Sequence, residues 1–313
     1  MNIGKPTIVT AYESPDLDGF GGAIAYAEFL NRSGENARAA IFGKPHEEAQ
    51  YVMKLFDFAY PETATDGSGF DRVVLVDSSE LSGLHPTLKP ESVIEIIDHR
   101  KVNDAHAFPN AKVQIELVGS AATLVAEKFM EHDWEPSKMS AILLYGAIVS
   151  NTLNFQAKVT HGRDRTAAAW LQEQFEIPEN FVHDMFLAKS QINAENLADR
   201  IDGDFAWFTF QTKKLGMGQL EVVDAAKLVQ EHKKGILAEL AAKRLQHKFD
   251  YVFLNTIDLE KGFNLFVTDH IETQGILKSI FSEITFEDGV AMRKGLIMRK
   301  EIVPLFKEFA DKR

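Results

Sequence analysis

Residues 72–77 read RVVLVD and residues 92–97 read SVIEII, and these two runs set the architecture of the first half of the chain. Both are too short for helices and rich in valine and isoleucine, a pattern typical of parallel strands buried on both faces. A further β-branched run lies at 7–12, and helical patterns lie at 22–30, 119–132 and 137–153. Ser137 suits the N-cap of the last helix. This alternation predicts an α/β domain with a largely parallel sheet.

The second half of the chain has a different order of elements. A polar stretch, KSQINAE at residues 189–195, is predicted to be a linker between a domain at 1–188 and a domain at 196–313. The patterns beyond it indicate strands at 205–211 and 218–223 joined by a turn at 212–217, a helix at 224–247, and strands at 250–257 and 263–269. This order predicts a smaller α+β domain.

Composition narrows the class of protein. The chain has 313 residues, which favours two domains, and no cysteine, which excludes disulfides and thiolate metal sites. Any metal would sit on oxygen and imidazole ligands. The net charge of −12 argues against nucleic acid as a partner. Because residues 1–6 lack signal-peptide features and no run reaches the roughly 18 apolar residues of a membrane span, a cytoplasmic protein without a membrane partner is expected.

Acidic residues and one histidine follow three of the predicted strands. Asp16 and Asp18 lie after the first strand. Asp77 ends the second, and His99 follows the third. Ligands gather outside the carboxyl ends of strands in open α/β sheets, so these side chains are expected to converge. Carboxylates brought together repel one another unless a cation lies between them, which predicts two metal ions roughly 3.5–4 Å apart.

Each of these signals is common when it occurs alone. An Asp-x-Asp-Gly segment often forms a turn, and an aspartate after a strand often caps the next helix. The combination, however, resembles the DHH phosphoesterases in order and spacing. The matching segments are PDLD at 15–18, LVD at 75–77, IIDHR at 96–100, ELVGSAATLV at 116–125 and SNTLNF at 150–155.

The C-terminal half extends the resemblance to nearly the whole chain. Two lysines at 213–214 and MRK at 298–300 resemble the DHHA2 domain of family II pyrophosphatases. The resemblance therefore implies an N-terminal DHH domain followed by a DHHA2-like substrate-binding domain.

The resemblance also implies a metal centre. Asp18, Asp77 and His99 would bind one ion, and Asp16 and Asp77 the other, so that Asp77 bridges the two. Asp77, His99 and Arg100 would form the catalytic group, and a hydroxide between the ions would attack phosphorus. Two ions of Mn2+, Mg2+ or Co2+ are the expected cofactors.

The substrate side of the site is implied in the same way. Gly119 and Ser120 open a helix whose free N–H groups would bind a phosphate. Basic residues of the C-terminal domain would neutralise the distal phosphate and the leaving group. They are Lys213 or Lys214, together with Arg299 and Lys300.

Three positions depart from the pyrophosphatase pattern. Tyr12 stands where a histidine ligand is expected. Asn151 stands where a helix aspartate is expected, and it would offer the metal only a neutral carbonyl oxygen. Arg100 replaces the second histidine of the DHH motif, a form similar to prune-type exopolyphosphatases, and it would clamp a phosphate bidentately. Weaker metal binding is therefore expected.

The expected function is metal-dependent hydrolysis of short polyphosphate or pyrophosphate, with polyphosphate placed first because of Arg100 and the ELVGS segment. Two alternatives stay open. One is a degenerate, non-catalytic protein that binds a phosphate-containing ligand. The other is a small-nucleotide phosphodiesterase, as in other DHH members. A homodimer is compatible with such folds.

Overall fold

The computed structural model describes residues 5–101 and 103–311. It divides into two compact units, one ending at Ala188 and one beginning at Lys189. Each unit has its own sheet and its own hydrophobic core. No helix in the described ranges has the length and apolar character needed to cross a bilayer. The linker at 189–195 stays a prediction.

The N-terminal unit is built on a parallel sheet. Its strands in the described residues are β1 (Thr7–Thr10), β2 (Ala37–Phe42), β3 (Glu62–Ala64), β4 (Val73–Val76), β5 (Val93–Asp98) and β6 (Lys112–Ile115). Their order is β3-β2-β1-β4-β5-β6, and every neighbouring pair is parallel. All four residues of β1 and of β4 are buried, as expected for strands covered on both faces. The predicted α/β domain is confirmed.

Helices accompany this sheet. Those in the described part of the unit are α1 (Leu17–Arg32), α2 (Glu47–Leu55), α3 (Ala121–Glu131), α4 (Lys138–Asn151), α5 (Gly162–Gln172) and α6 (Phe181–Lys189). Ser137 is the N-cap of α4, as predicted. Gly22 of α1 lies against β4, because a Cβ there would be 2.6 Å from Val76 Cγ1. This close approach brings the start of α1 beside the end of β4.

The C-terminal unit has a mixed sheet in the order β11-β12-β10-β9-β8-β7. Its strands in the described residues are β7 (Phe205–Phe210), β8 (Lys213–Val222), β9 (Tyr251–Asp258), β10 (Phe263–Val267), β11 (Phe286–Glu287) and β12 (Val290–Lys294). Its helices are α7 (Leu197–Gly203), α8 (Ala225–His247), α9 (Ile271–Ile280) and α10 (Arg299–Asp311). Only β8 and β9 pair in parallel among these strands. The predicted α+β domain is confirmed.

The turn predicted at 212–217 is wrong. β8 begins at Lys213 and pairs with β7 in an unbroken antiparallel register, in which Gly216 lies opposite Trp207. A Cβ on Gly216 would come within 2.6 Å of the Phe249 ring. The glycine therefore reflects close packing of a ring on the strand, and not a turn.

Candidate metal centre

The candidate site lies at the carboxyl ends of β1, β4 and β5. β1 and β4 are neighbours in the sheet, and the strand order reverses between them. Such a switch point leaves a crevice in which ligands bind. Asp16 and Asp18 follow β1, and Asp77 follows β4. His99 and Arg100 follow β5.

Three of these residues form a buried cluster of potential metal ligands. One ligand atom each from Asp18, Asp77 and His99 lies within 4.8 Å of the other two. His99 Nε2 is 3.4 Å from Asp77 Oδ1 and 3.7 Å from Asp18 Oδ2. Both carboxylates are buried, and Asp77 Oδ1 has no hydrogen-bond partner among the described residues. Because buried carboxylates this close together repel each other, and one of their oxygens lacks a hydrogen bond, the cluster favours a bound cation.

Neighbouring groups fix the orientation of His99. Its backbone N–H donates to Asp98 Oδ1 at 2.6 Å, and its ring Nδ1 lies 3.0 Å from the carbonyl oxygen of Val118. A carbonyl oxygen only accepts hydrogen bonds, so Nδ1 carries a proton and Nε2 faces the carboxylates. Burial alone would lower the pKa of His99, but interactions with Asp77 and Asp18 raise it to about 10.

Asp18 is held by the first turn of α3, more than 100 positions further along the chain. Its Oδ1 accepts from Ser120 Oγ at 2.8 Å and from the Ala122 N–H at 2.7 Å. Its Oδ2 accepts from the Ala121 N–H at 2.9 Å. A carboxylate at a helix N-terminus is stabilised by these donors and by the helix dipole. Burial and then the charge of Asp77 nevertheless raise the pKa of Asp18 to about 7.

Carboxylates from other elements engage donors at the start of α3. The Gly119 N–H donates to both oxygens of Asp164, at 2.9 and 3.1 Å, while Ser120 Oγ donates to Asp18. The Gly119 N–H is thus engaged by Asp164, and phosphate binding by Gly119 and Ser120 stays a prediction. The sequence indicates the helix start, but it does not show that distant carboxylates cap it.

Asn151, the last residue of α4, faces the same carboxylate. Its Nδ2 donates to Asp18 Oδ2 at 2.5 Å. The sequence predicts that Asn151 offers its carbonyl oxygen to a metal, whereas the structure shows its amide nitrogen bound to a ligand residue. An aspartate here would place a second negative charge against Asp18 in the metal-free protein. Asn151 thus stabilises the carboxylate of Asp18, and its role as a metal ligand stays a prediction.

Asp16 lies beside the cluster and caps α1. Its Oδ1 accepts from the N–H groups of Asp18 and Gly19, at 2.9 and 3.1 Å. Burial raises the pKa of Asp16 to about 8, with further contributions from the charges of Asp77 and Glu48. The shift reflects the excess of negative charge in this crevice. The role of Asp16 as a ligand of a second ion stays a prediction.

Tyr12 and Arg100, two of the departures from the family pattern, contact each other. The Tyr12 hydroxyl accepts a hydrogen bond from the Asp16 N–H at 2.9 Å. The guanidinium carbon of Arg100 lies 5.4 Å from the centre of the Tyr12 ring. Arg100 Nη2 is 3.3 Å from Asp77 Oδ2. A fixed positive charge therefore lies on the side of Asp77 that faces away from His99.

The lysines predicted to bind substrate lie at the start of β8. Lys213 forms an ion pair with Asp250 at 2.7 Å, and its side chain is half exposed. The Lys214 N–H donates to the same carboxylate at 2.9 Å. This contact anchors the strand end, and substrate binding by either lysine stays a prediction.

Arg299 and Lys300 open α10. The Arg299 guanidinium contacts the carboxylate and the backbone carbonyl of Asp204, and the backbone N–H of Arg299 donates to Gln219 Oε1 at 2.7 Å. Partial burial of its ammonium group lowers the pKa of Lys300. Arg299 is therefore fixed within its own unit, and a role in substrate binding stays a prediction for both residues.

Two buried carboxylates that brace the site are absent from the sequence-based prediction. Glu48 accepts from the Leu17 N–H at 3.1 Å and from Ser150 Oγ at 2.5 Å, so it joins the start of α1 to the end of α4. Asp164 accepts from Thr123 Oγ1 at 2.6 Å. Asp164 lies at a helix start, where a capping signal could have identified it from the sequence. Glu48 lies in a first helical turn, where an acidic residue is usually exposed, so the sequence does not indicate its burial.

Comparisons with known proteins agree with the family resemblance. A model of the DHH family, N-terminal domain, matches residues 6–148, and a DHHA2 domain model matches residues 183–309. A manganese-dependent inorganic pyrophosphatase of Methanothrix thermoacetophila is 30% identical over 300 residues, covering 95% of this chain and 96% of that protein. The enzyme of the same name from Bacillus subtilis is 27% identical, with 95% and 96% covered.

A solved structure gives the same result for the fold. A Methanococcus jannaschii protein, provisionally assigned as a family II inorganic pyrophosphatase, aligns with a TM-score of 0.71 and 27% identity, covering 97% of this chain and 99% of that one. The chain therefore belongs to the DHH family and carries a DHHA2 domain. Within that family, the relatives named above are manganese-dependent inorganic pyrophosphatases.

Proposed function

We propose that the protein is a metal-dependent hydrolase that cleaves the phosphoanhydride bond of inorganic pyrophosphate. The observation that carries the proposal is the buried cluster of Asp18, Asp77 and His99, in which Asp77 Oδ1 has no hydrogen-bond partner in the described part of the chain. The names of relatives that match 95% of the chain support both the metal and the substrate.

The cluster fits a divalent ion. Two carboxylates and an imidazole suit Mn2+, Mg2+ or Co2+, and the relatives' names favour Mn2+. Asp18, Asp77 and His99 would hold the ion, which, when bound, supplies positive charge to phosphoryl oxygens and lowers the pKa of water. The resemblance implies two such ions, whereas the described residues provide one such cluster.

The side chains of the protein would supply the remaining electrostatics. Phosphoryl transfer asks mainly for positioning and charge stabilisation. Arg100, next to Asp77, would bind a phosphoryl oxygen with a guanidinium that is always charged. The basic residues of the C-terminal unit are proposed to bind substrate on the strength of the resemblance alone. They are Lys213, Lys214, Arg299 and Lys300.

Pyrophosphate replaces polyphosphate as the favoured substrate. The sequence placed polyphosphate first because of Arg100, but the relatives are named as pyrophosphatases. A non-catalytic phosphate-binding protein is the second candidate. The observation that favours it is that Tyr12 and Asn151 both direct polar groups to other residues of the site, Asp16 and Asp18 respectively.

Phosphate release from defined substrates tests the proposal. The purified protein, stripped of metal with EDTA, would be supplied with Mn2+, Mg2+ or Co2+ and with pyrophosphate, tripolyphosphate, long polyphosphate or a bis-aryl phosphodiester. We expect Mn2+-dependent release from pyrophosphate and at least a hundredfold loss in Asp77→Asn, because removing one transition-state electrostatic group costs about 10²–10³ in rate.

The Asp77→Asn variant keeps the backbone conformation, because asparagine tolerates the φ of 55° at position 77. Release only from polyphosphate or only from the diester would reassign the substrate. No release with any metal, from a protein shown to be folded by circular dichroism, would leave the binding protein as the function.

A further inference from the structure

We propose that this centre binds a single divalent ion, and that the guanidinium of Arg100 takes the place of the second cation. The proposal rests on the metal-dependent function proposed above, but it concerns the number of ions and not the reaction. It departs from the two ions that the family resemblance implies.

The first cation position has three protein donors that lie close together. Asp18 Oδ2 and Asp77 Oδ1 both face His99 Nε2, at 3.7 and 3.4 Å. The hydrogen bonds at the start of α3 fix Asp18, and the Val118 carbonyl fixes the ring of His99. The one buried ligand oxygen without a partner in the described residues, Asp77 Oδ1, belongs to this position.

The second position lacks such donors. Tyr12 stands in place of an imidazole, and its hydroxyl is engaged with the Asp16 N–H at 2.9 Å. A neutral phenol is a poor ligand for a hard divalent ion, since such ions prefer carboxylate, carbonyl and water oxygens.

Arg100 supplies positive charge on this side of the centre. Its Nη2 is 3.3 Å from Asp77 Oδ2, so the two oxygens of Asp77 face different groups: His99 on one side and Arg100 on the other. A second divalent ion bound to Oδ2 would meet a guanidinium that already occupies that oxygen. Like charges at contact distance repel strongly in a buried site.

Tyr12 and Arg100 form a matched pair of substitutions. The planar guanidinium lies over the face of the tyrosine ring, 5.4 Å from its centre, an arrangement that stabilises a cation without metal ligands. Both substitutions must be reversed together to restore a second metal position.

Metal counting on the full-length protein tests the proposal. The metal-free protein would be titrated with Mn2+, freed of unbound ions by gel filtration and analysed by elemental mass spectrometry and electron paramagnetic resonance. We expect one Mn2+ per chain, with the hyperfine spectrum of an isolated ion. The double variant Tyr12→His/Arg100→His should bind two, with the exchange-coupled spectrum of a neighbouring pair. Arg100→Lys, which keeps the charge, should stay at one.

Two ions per wild-type chain, or a coupled spectrum from the wild type at any Mn2+ concentration, would overturn the proposal. So would a folded double variant that still binds one ion. If the double variant does not fold, the wild-type count and spectrum decide alone. One ion per chain with no hydrolysis of any substrate would contradict the proposed function and support the single-ion inference. Hydrolysis by a protein that binds two ions would support the function and contradict the inference.

Discussion

The two carboxylate oxygens of Asp77 face two different basic residues. Oδ1 faces His99 and Oδ2 faces Arg100. Its φ of 55° lies in the left-handed region, which aspartate and asparagine tolerate better than most other non-glycine residues. The backbone at the end of β4 thus turns sharply while both oxygens stay in the crevice. For this reason asparagine, and not alanine, is the informative substitution.

Asn151→Asp should change stability and metal affinity in opposite directions. The variant loses the hydrogen bond to Asp18 and adds a like charge, so the metal-free protein should melt at a lower temperature. The added charge should tighten Mn2+ binding about tenfold, which is about 1.4 kcal/mol. Thermal melts in EDTA and calorimetric titration with Mn2+ measure the two effects.

Asn151→Ala is the matched control for that pair of effects. It also removes the hydrogen bond but adds no charge, so its melting temperature should fall while Mn2+ affinity does not rise. If the aspartate variant bound Mn2+ no more tightly than wild type, position 151 would not act on the metal.

At the residue scale, the sequence indicated the ligands but not their supports. Asp18, Asp77 and His99 were expected to converge because apolar runs mark the strand ends that precede them, and the structure brings them together. Glu48 was missed because its partner Ser150 is 102 positions away. Hydrogen bonds of that span leave no local sequence pattern.

At the element scale, β8 shows how a glycine can mislead. Gly216 falls in the predicted turn, yet Gly216 and Gly218 both lie inside the strand and face large side chains. A Cβ on Gly218 would come within 2.9 Å of Leu254 Cδ1. Glycine in a strand can therefore report close packing from a neighbouring element, which the sequence alone does not distinguish from a turn.

Gly216→Ala should destabilise the protein by about 2 kcal/mol, because the added methyl group overpacks the Phe249 ring. Gly275→Ala is the matched control in the same unit. Gly275 lies inside α9 with nothing within 4 Å of its Cβ position, so alanine should stabilise the protein by about 0.5–1 kcal/mol. Urea unfolding measures both changes, and equal values for the two variants would contradict the packing argument.

The predicted strands of the N-terminal sheet are all buried strands from its interior. β1, β4 and β5 lie in the middle of the sheet and their burial produces apolar runs. β2, β3 and β6 were missed. β3 and β6 are edge strands whose residues are largely exposed or half-buried, and β2, although inside the sheet, has an apolar run broken by the exposed Arg38. An edge strand buries too little surface to leave a recognisable pattern.

For the whole molecule, the crowded carboxylates predict that metal-free stability falls as pH rises. Asp16 and Asp18 have folded pKa values of about 8 and about 7, above the ordinary 3.8, and His99 has one of about 10, above 6.5. Groups that hold protons more tightly when folded contribute stability at low pH and lose it as pH rises through those values. The melting temperature in EDTA should therefore fall between about pH 5 and about pH 9.

Mn2+ should reverse this trend, because its ligands must lose protons before they bind it. The rise in melting temperature on adding Mn2+ should be larger at about pH 8.5 than at about pH 6. Asp77→Asn is the control, since it removes a charge that raises the other pKa values and should flatten the pH dependence. A melting temperature in EDTA that rises with pH would contradict the charge distribution.

The hydrogen bonds that join Asp18 to Ser120, Ala121 and Ala122 also determine when the centre can exist during synthesis. Domains begin to fold from the N-terminus while the chain is still being made. A nascent chain that ends before α3 has Asp16, Asp18 and Asp77 but lacks the donors that hold Asp18. Such a chain has a cluster of acidic residues without a formed site. We therefore expect the proposed metal site to form only after most of the first unit has emerged from the ribosome.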